Sequence, residues 1–226
     1  MVEVLYEDNH LIAVYKKPSD LSQSDRTGDS ALDSEVKKYL AEKYKKQGEV
    51  FLGVVHRLDR PVGGVMLFAR TSKALRRMNE IFRTRDVRKT YLAVVIERPP
   101  EDEAVLTHYL KKNEKQNKTY VYDTEVKGSK QASLSYRLAG RSERFFLLEI
   151  ELYSGRHHQI RAQLAKIGCP VKGDLKYGYS RSNEDGSISL FSRRLEFIHP
   201  VKKEKVSITA HFPQGDVWKL FINTQV

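Results

Sequence analysis

The segment Val54-Val55-His56-Arg57-Leu58-Asp59-Arg60-Pro61-Val62-Gly63-Gly64-Val65-Met66-Leu67-Phe68 holds the densest chemistry in the chain. An apolar strand runs into a polar turn, and the two glycines lead into a second apolar strand. Loops at strand ends are common sites for functional groups. An aspartate between Arg57 and Arg60 stays ionised, because nearby positive charge favours the carboxylate. An ionised carboxylate serves as a nucleophile or a base. Taken alone, the same residues also describe a surface ion pair beside a hairpin.

A second segment, Leu152-Tyr153-Ser154-Gly155-Arg156-His157-His158-Gln159-Ile160-Arg161, ends a strand, turns at glycine and starts a helix. Free backbone N–H groups at a helix start attract anions, and Arg156 and His158 are expected to add positive charge there. Arg161 lies one helical turn after His157, so the two can share a face. Taken by itself, the segment is better explained as a solvated basic helix start. Paired histidines without further ligands at metal spacing do not make a metal site. Gly168–Gly178 is a glycine-rich turn segment without phosphate-loop spacing. Arg88-Lys89-Thr90-Tyr91-Leu92-Ala93-Val94-Val95 enters a strand through a basic stretch. Tyr91 is either an ordinary sheet residue or a platform on which a base stacks. No nucleophile elbow, Walker loop or dinucleotide fingerprint occurs.

The elements that must position these residues are mostly strands. Alternating or short apolar runs predict strands at 2–6, 11–15, 51–55, 65–69, 90–96, 104–110, 119–123, 133–138, 145–152, 189–198 and 206–210. Asp8-Asn9 predicts a tight turn. Helical spacing is predicted over 30–47, with Ser30 and Asp33 as a capping box and Gly48 as the stop. Further helices are predicted at 72–83 with Ser72 as N-cap, at 157–167, and at 217–223. Lys111–Lys118 and Ser180–Ser187 read as polar loops within one domain. Strands joined by short turns, with scattered helices, predict an α+β fold with a largely antiparallel or mixed central sheet.

The 226 residues suffice to bury a core without disulfides or metals. A net charge of +11 favours a polyanionic partner, nucleic acid before an anionic membrane. The single cysteine, Cys169, can form no internal disulfide and suits a reducing cytoplasm. The acidic N-terminus lacks signal-peptide character, and no apolar run approaches the ~20 residues of a membrane span.

Five segments, in order, resemble the RluA-type family of RNA pseudouridine synthases. Val4–Ser19 resembles its first motif, His56–Arg60 its catalytic motif, and Lys89–Ala93 the strand of its active-site tyrosine. Ser154–Arg161 with Gly168–Gly178 resembles its third motif, and Leu195–Pro200 its C-terminal strand and turn. The chain departs from the family pattern at Pro61-Val62-Gly63-Gly64, His157, Gln163, Cys169 and Phe191. The resemblance implies the pseudouridine synthase fold, with an active-site cleft across the sheet. It implies a single catalytic domain over 1–226 with no separate N-terminal RNA-binding domain.

The implied reaction isomerises uridine in structured rRNA or tRNA without cofactor or metal, by a cytoplasmic monomer. Asp59 is then the nucleophile, Arg161 its partner, and Tyr91 the surface stacked on a flipped uracil. Arg57, Arg60, Arg156, His158 and Lys89 become RNA contacts. Two other classes compete. One is a non-catalytic RNA-binding protein on the same fold. The other is a glycoside hydrolase, which needs a second carboxylate opposite Asp59, with Asp174 and Glu151 as candidates.

Overall fold

The computed structural model describes residues 2–23, 31–224 and 226. In chain order the elements are β1 (Val4–Glu7), β2 (Leu11–Lys16), α1 (Leu32–Lys43), β3 (Gly53–Val54), β4 (Gly63–Ala69) and α2 (Ser72–Thr84). There follow β5 (Val87–Val95), β6 (Glu103–Asn113), β7 (Lys118–Tyr122), β8 (Lys130–Arg141), β9 (Phe146–Leu152) and α3 (Gln159–Lys166). A 3₁₀ turn (Leu175–Tyr177), β10 (Leu190–Ile198), β11 (Lys205–Thr209) and α4 (Asp216–Lys219) complete the chain. Each strand predicted from alternation is present, and the fold is α+β.

The chain divides into two compact units, Met1–Arg88 with Ser192–His211, and Lys89–Phe191 with Phe212–Val226. In the first unit the strand order is β1-β2-β4-β10, with β11 against β10 and β3 against β4. Asp8 closes the β1–β2 turn by accepting the amides of His10 and Leu11, both at 2.8 Å. The core lies between this sheet and α1, where Ile12, Val14, Met66 and Phe68 meet Leu32, Val36 and Leu40. Helix α1 ends at Lys43, short of the predicted 47. Leu40 is its last buried residue, and the polar tract beyond offers nothing to bury while Lys45 turns left-handed. The capping box assigned to Ser30 lies outside the described residues.

Helix α2 is capped by Thr71, not Ser72. The Thr71 hydroxyl accepts the Ala74 amide at 3.1 Å. Two hydroxyl residues stand side by side there, and the apolar stripe alone does not choose between them.

In the second unit the strand order is β5-β9-β8-β6-β7, and these pairings are all antiparallel. Half of the predicted polar loop 111–118 is strand. Asn113 pairs with Lys118, so only 114–117 make the turn. Lysines do not disturb a ladder when their ammonium groups reach water, and the hairpin backbone satisfies itself. The segment 180–187 is tied down: Asn183 accepts from Lys172 at 2.6 Å and donates to Ser187 at 3.2 Å.

Candidate active site

The loop bearing Asp59 is held through its backbone by the last residue of β2 and the segment that follows it. The Lys16 ammonium is fully buried and donates to the carbonyls of Lys17, Asp59, Arg60 and Val62 at 3.2, 3.4, 3.0 and 2.8 Å. The Ser22 hydroxyl accepts the Leu58 amide at 3.2 Å and donates to the Leu58 carbonyl at 2.8 Å. The Ser19 amide donates to the Arg60 carbonyl at 2.8 Å, while Arg60 Nε donates to the Ser19 carbonyl at 3.1 Å. At the loop's start His56 Nε2 accepts the Leu67 amide at 3.1 Å, and its ring stacks on Phe82 of α2. At its end Gly64 has φ +118°, and a Cβ there would lie 2.1 Å from the Ser192 carbonyl oxygen. Only glycine fits both constraints. With the backbone fixed, the exposed Arg57 and Arg60 flank a half-buried Asp59.

Lys16 supports the site although no motif marks it for that role. Its signal was the alternation Ile12, Val14, Lys16, which turns the lysine to the same face as two core residues. Burial pushes its ammonium down to about 8, against the pull of Asp20 and Asp59, so it remains largely charged at neutral pH. Lys16→Met removes a donor shared by four carbonyls and is expected to cost about 1–3 kcal/mol of stability. A loop displaced by an ångström loses rate far more than affinity, so kcat should fall about 10–100-fold with little change in RNA affinity. Steady-state kinetics beside direct RNA binding check this.

Raising the pH through about 8 should erode wild-type kcat as the ammonium loses one of its three N–H donors. Lys16→Met should lack that limb. The linkage to stability has the opposite sign. Unfolded lysine keeps its proton up to 10.5, so between about 8 and 10.5 the unfolded chain binds more protons and rising pH favours the folded state.

In the second unit Arg161 points from α3 into a buried ion pair. Its Nε and Nη2 donate to the two Asp174 carboxylate oxygens at 2.6 and 2.8 Å. Arg161 is 5% exposed and Asp174 1%. The Tyr177 ring lies 5.1 Å from the guanidinium carbon. The Tyr177 hydroxyl accepts the Thr119 amide at 2.8 Å and sits 2.9 Å from His158 Nδ1. Thr119 Oγ1 donates to the His157 carbonyl at 2.9 Å and is 2.8 Å from His157 Nδ1. Each hydroxyl has one proton to give. Thr119 gives its proton to the His157 carbonyl, so its Oγ1 accepts from His157 Nδ1.

The positive charge expected of His158 is not there. The residue is buried as the left-handed N-cap of α3, its φ being 49°. Burial, then the Arg161 and His157 charges, push its ring down to about 2. In the unfolded chain the ring protonates near 6.5, so acidification below 6.5 favours unfolding by up to about 1.4 kcal/mol per pH unit. His158→Asn keeps a hydrogen-bonding side chain and cannot protonate. Its urea midpoint should fall less than that of the wild type between pH 7 and 4.5.

Strand register decides which faces the remaining candidates occupy. Tyr91 pairs with Ile150, and Ile150 with Tyr136, so these share a face. The same parity along β8 reaches Ala132, which pairs with His108, and the His108 ring meets Gln163 of α3 at 3.0 Å. Tyr91 and α3, the carrier of Arg161, thus lie on one face of this sheet. Glu151 pairs with Thr90 and Ser135 and lies on the opposite face. Asp174, the other carboxylate named for a hydrolase, is already engaged by Arg161 through both of its oxygens.

Lys89 Nζ donates to the Ser154 carbonyl at 3.3 Å, and Arg156 Nε to the Gln131 carbonyl at 3.3 Å. Gln159 shapes this loop: its Oε1 accepts from Ser154 Oγ at 2.8 Å and from the Arg156 amide at 3.1 Å. Among the described residues no group of three or more His, Cys, Asp or Glu could hold a metal ion. No helix among them is long and apolar enough to cross a membrane.

A model of the RNA pseudouridylate synthase family matches residues 10–166, which take in segments of both units. The chain is 30% identical to tRNA pseudouridine synthase C of Haemophilus influenzae over 99% of its own length and 97% of that protein. It is 32% identical to ribosomal large subunit pseudouridine synthase D of Xylella fastidiosa, covering 94% of this chain and 66% of the relative. It spans 59% of the tRNA pseudouridine synthase C of Pectobacterium carotovorum, at 28% identity. Among solved structures, human RNA pseudouridylate synthase domain containing 4 superposes with a TM-score of 0.81 at 20% identity, over 99% of this chain and 94% of that one. The chain belongs to the RNA pseudouridylate synthase family. Its class is therefore an isomerase that acts on RNA.

Proposed function

We propose that this enzyme converts uridine to pseudouridine at defined positions of tRNA or ribosomal RNA, with Asp59 as the nucleophile. The observation that carries the reading is the Asp59 loop. A carboxylate is presented between two exposed arginines on a backbone locked by a fully buried lysine. Such preorganisation suits a group that must meet a reacting atom. Arg161 would pair with Asp59 through the guanidinium edge opposite the one Asp174 holds, keeping the carboxylate ionised and oriented. Tyr91 would stack on the uracil once it is flipped from its helix or loop. Arg57, Arg60, Arg156 and Lys89 would bind phosphate, which gives affinity, while folded RNA shape gives selectivity. His158 contributes from inside the protein, through Tyr177 and not through charge. One catalytic domain over 1–226 is part of this reading.

The reaction breaks the C1′–N1 bond and forms a C1′–C5 bond. N1 gains a proton, and the hydrogen on C5 leaves to solvent. Transcripts of tRNA and large-subunit rRNA labelled with tritium at uridine C5 therefore report it. The purified enzyme should release tritium to water while the RNA keeps every base. Release of free uracil would identify a hydrolase instead. Binding without any release would identify a non-catalytic RNA-binding protein.

A further inference from the structure

Helix α2 breaks two local rules in the same direction. Its first turn has no acidic residue and carries Lys73, although the helix dipole disfavours cations there. Its C-cap residue Arg85 is left-handed at φ 68°, a conformation that glycine ordinarily supplies. The left-handed turn closes the helix, with the Asp86 amide donating to the Ile81 carbonyl at 3.0 Å, and leaves a cation at each end of one exposed face. The apolar face of α2 is already occupied: Ala74 and Met78 are buried, Leu75 presses on Gly53, and Phe82 stacks on His56. The opposite face, together with the turn after it, presents exposed Lys73, Arg76, Arg77, Arg83, Arg85 and Arg88. Only Glu80 and Asp86 oppose them within Ser72–Arg88.

We infer that this face of α2 is a phosphate platform for a double-stranded RNA arm flanking the target uridine, an inference that rests on the proposed function. Charge selects a polyanion, and five of the six cations are arginine, whose planar fork matches phosphate oxygens; Glu80 holds one edge of the Arg83 fork and Arg77 donates to the Pro200 carbonyl, which leaves Arg76, Arg85 and Arg88 with Lys73 as the main contacts. Exposed aromatic side chains, which single strands need for stacking, are missing from the exposed positions of Ser72–Arg88. A regular duplex read through its backbone needs none. From Lys73 to Arg83 the helix rises about 15 Å, enough to meet several successive phosphates. Phe82 against His56 fixes the platform to the start of the Asp59 loop, so duplex bound on one side sets the position of the loop on the other.

The test uses two RNA hairpins with the same uridine-containing loop, one on a stem of about twenty pairs and one on a stem of about five, beside an oligouridine strand. Lys73→Ala with Arg76→Ala should weaken binding of the long hairpin about 10–100-fold at moderate salt. It should also flatten the log Kd against log salt slope by about two. The short hairpin and oligouridine should change less than threefold. Arg85→Gly should weaken long-hairpin binding with an unchanged or higher Tm, a result that a merely structural Arg85 would not give. Unchanged long-hairpin affinity and slope in both variants, or an equal loss on oligouridine, overturn the inference. If wild-type protein releases tritium from RNA while the variants bind as it does, only this inference falls. If wild-type protein neither binds nor isomerises RNA, the proposed function falls and takes this with it.

Discussion

Asp59→Asn is expected to lower pseudouridine formation by about 10⁴-fold or more while RNA affinity stays within a few-fold of wild type. The substitution keeps the size of the side chain and removes its ionisable oxygen. The loop is held through main-chain carbonyls by Lys16 and through Leu58 by Ser22, so the fold does not depend on the Asp59 side chain for these bonds. Affinity comes mainly from phosphate contacts, which Asn leaves intact. Removing a negative charge between Arg57 and Arg60 should even tighten binding slightly at low salt. Single-turnover tritium release, paired with a binding titration, separates the two effects. Parallel loss of affinity and rate would mean that Asp59 is a structural residue of the loop.

Asp174→Ala should destabilise the second unit by about 3–5 kcal/mol, because it strands a buried guanidinium. Both partners of the pair are almost fully enclosed, and the two bonds use one whole edge of the Arg161 fork. Asp174→Asn should recover part of the loss, since an amide oxygen still accepts one bond. Arg161→Met with Asp174→Leu should cost less than Asp174→Ala alone, because an apolar pair leaves no charge unpaired. Urea unfolding of the four proteins measures this series directly. The apolar double variant should nevertheless be inactive, since Asp59 would then lack its proposed partner.

Alternation made the strands legible, because each has one face that must be buried and another that need not be. Which strands become neighbours was not legible. Nothing local tells β5 to pair with β9, and that register is what separates Tyr91 from Glu151 onto opposite faces. Boundaries slipped where two residues offer the same chemistry, as with Thr71 and Ser72, or where polar residues continue a ladder past the last apolar one, as in β6. At the candidate site, Asp59, Tyr91 and Arg161 stood out by residue type and by the order of the motifs around them. Their supports did not. Lys16 looked like one more surface cation in a basic chain, and only the strand period points it inward. Asp174 has the residue type of a second catalytic carboxylate, yet it is bound to Arg161 across a turn whose shape the sequence does not reveal. His158 carried a charge on paper that its burial removes.

The most direct test is pseudouridine mapping across total RNA from cells lacking this protein, restored with either wild-type protein or Asp59→Ala. The account predicts that one or a few uridines of tRNA or ribosomal RNA lose the modification, regain it with the wild type and stay unmodified with Asp59→Ala. Pseudouridine returning at those positions with Asp59→Ala would contradict it.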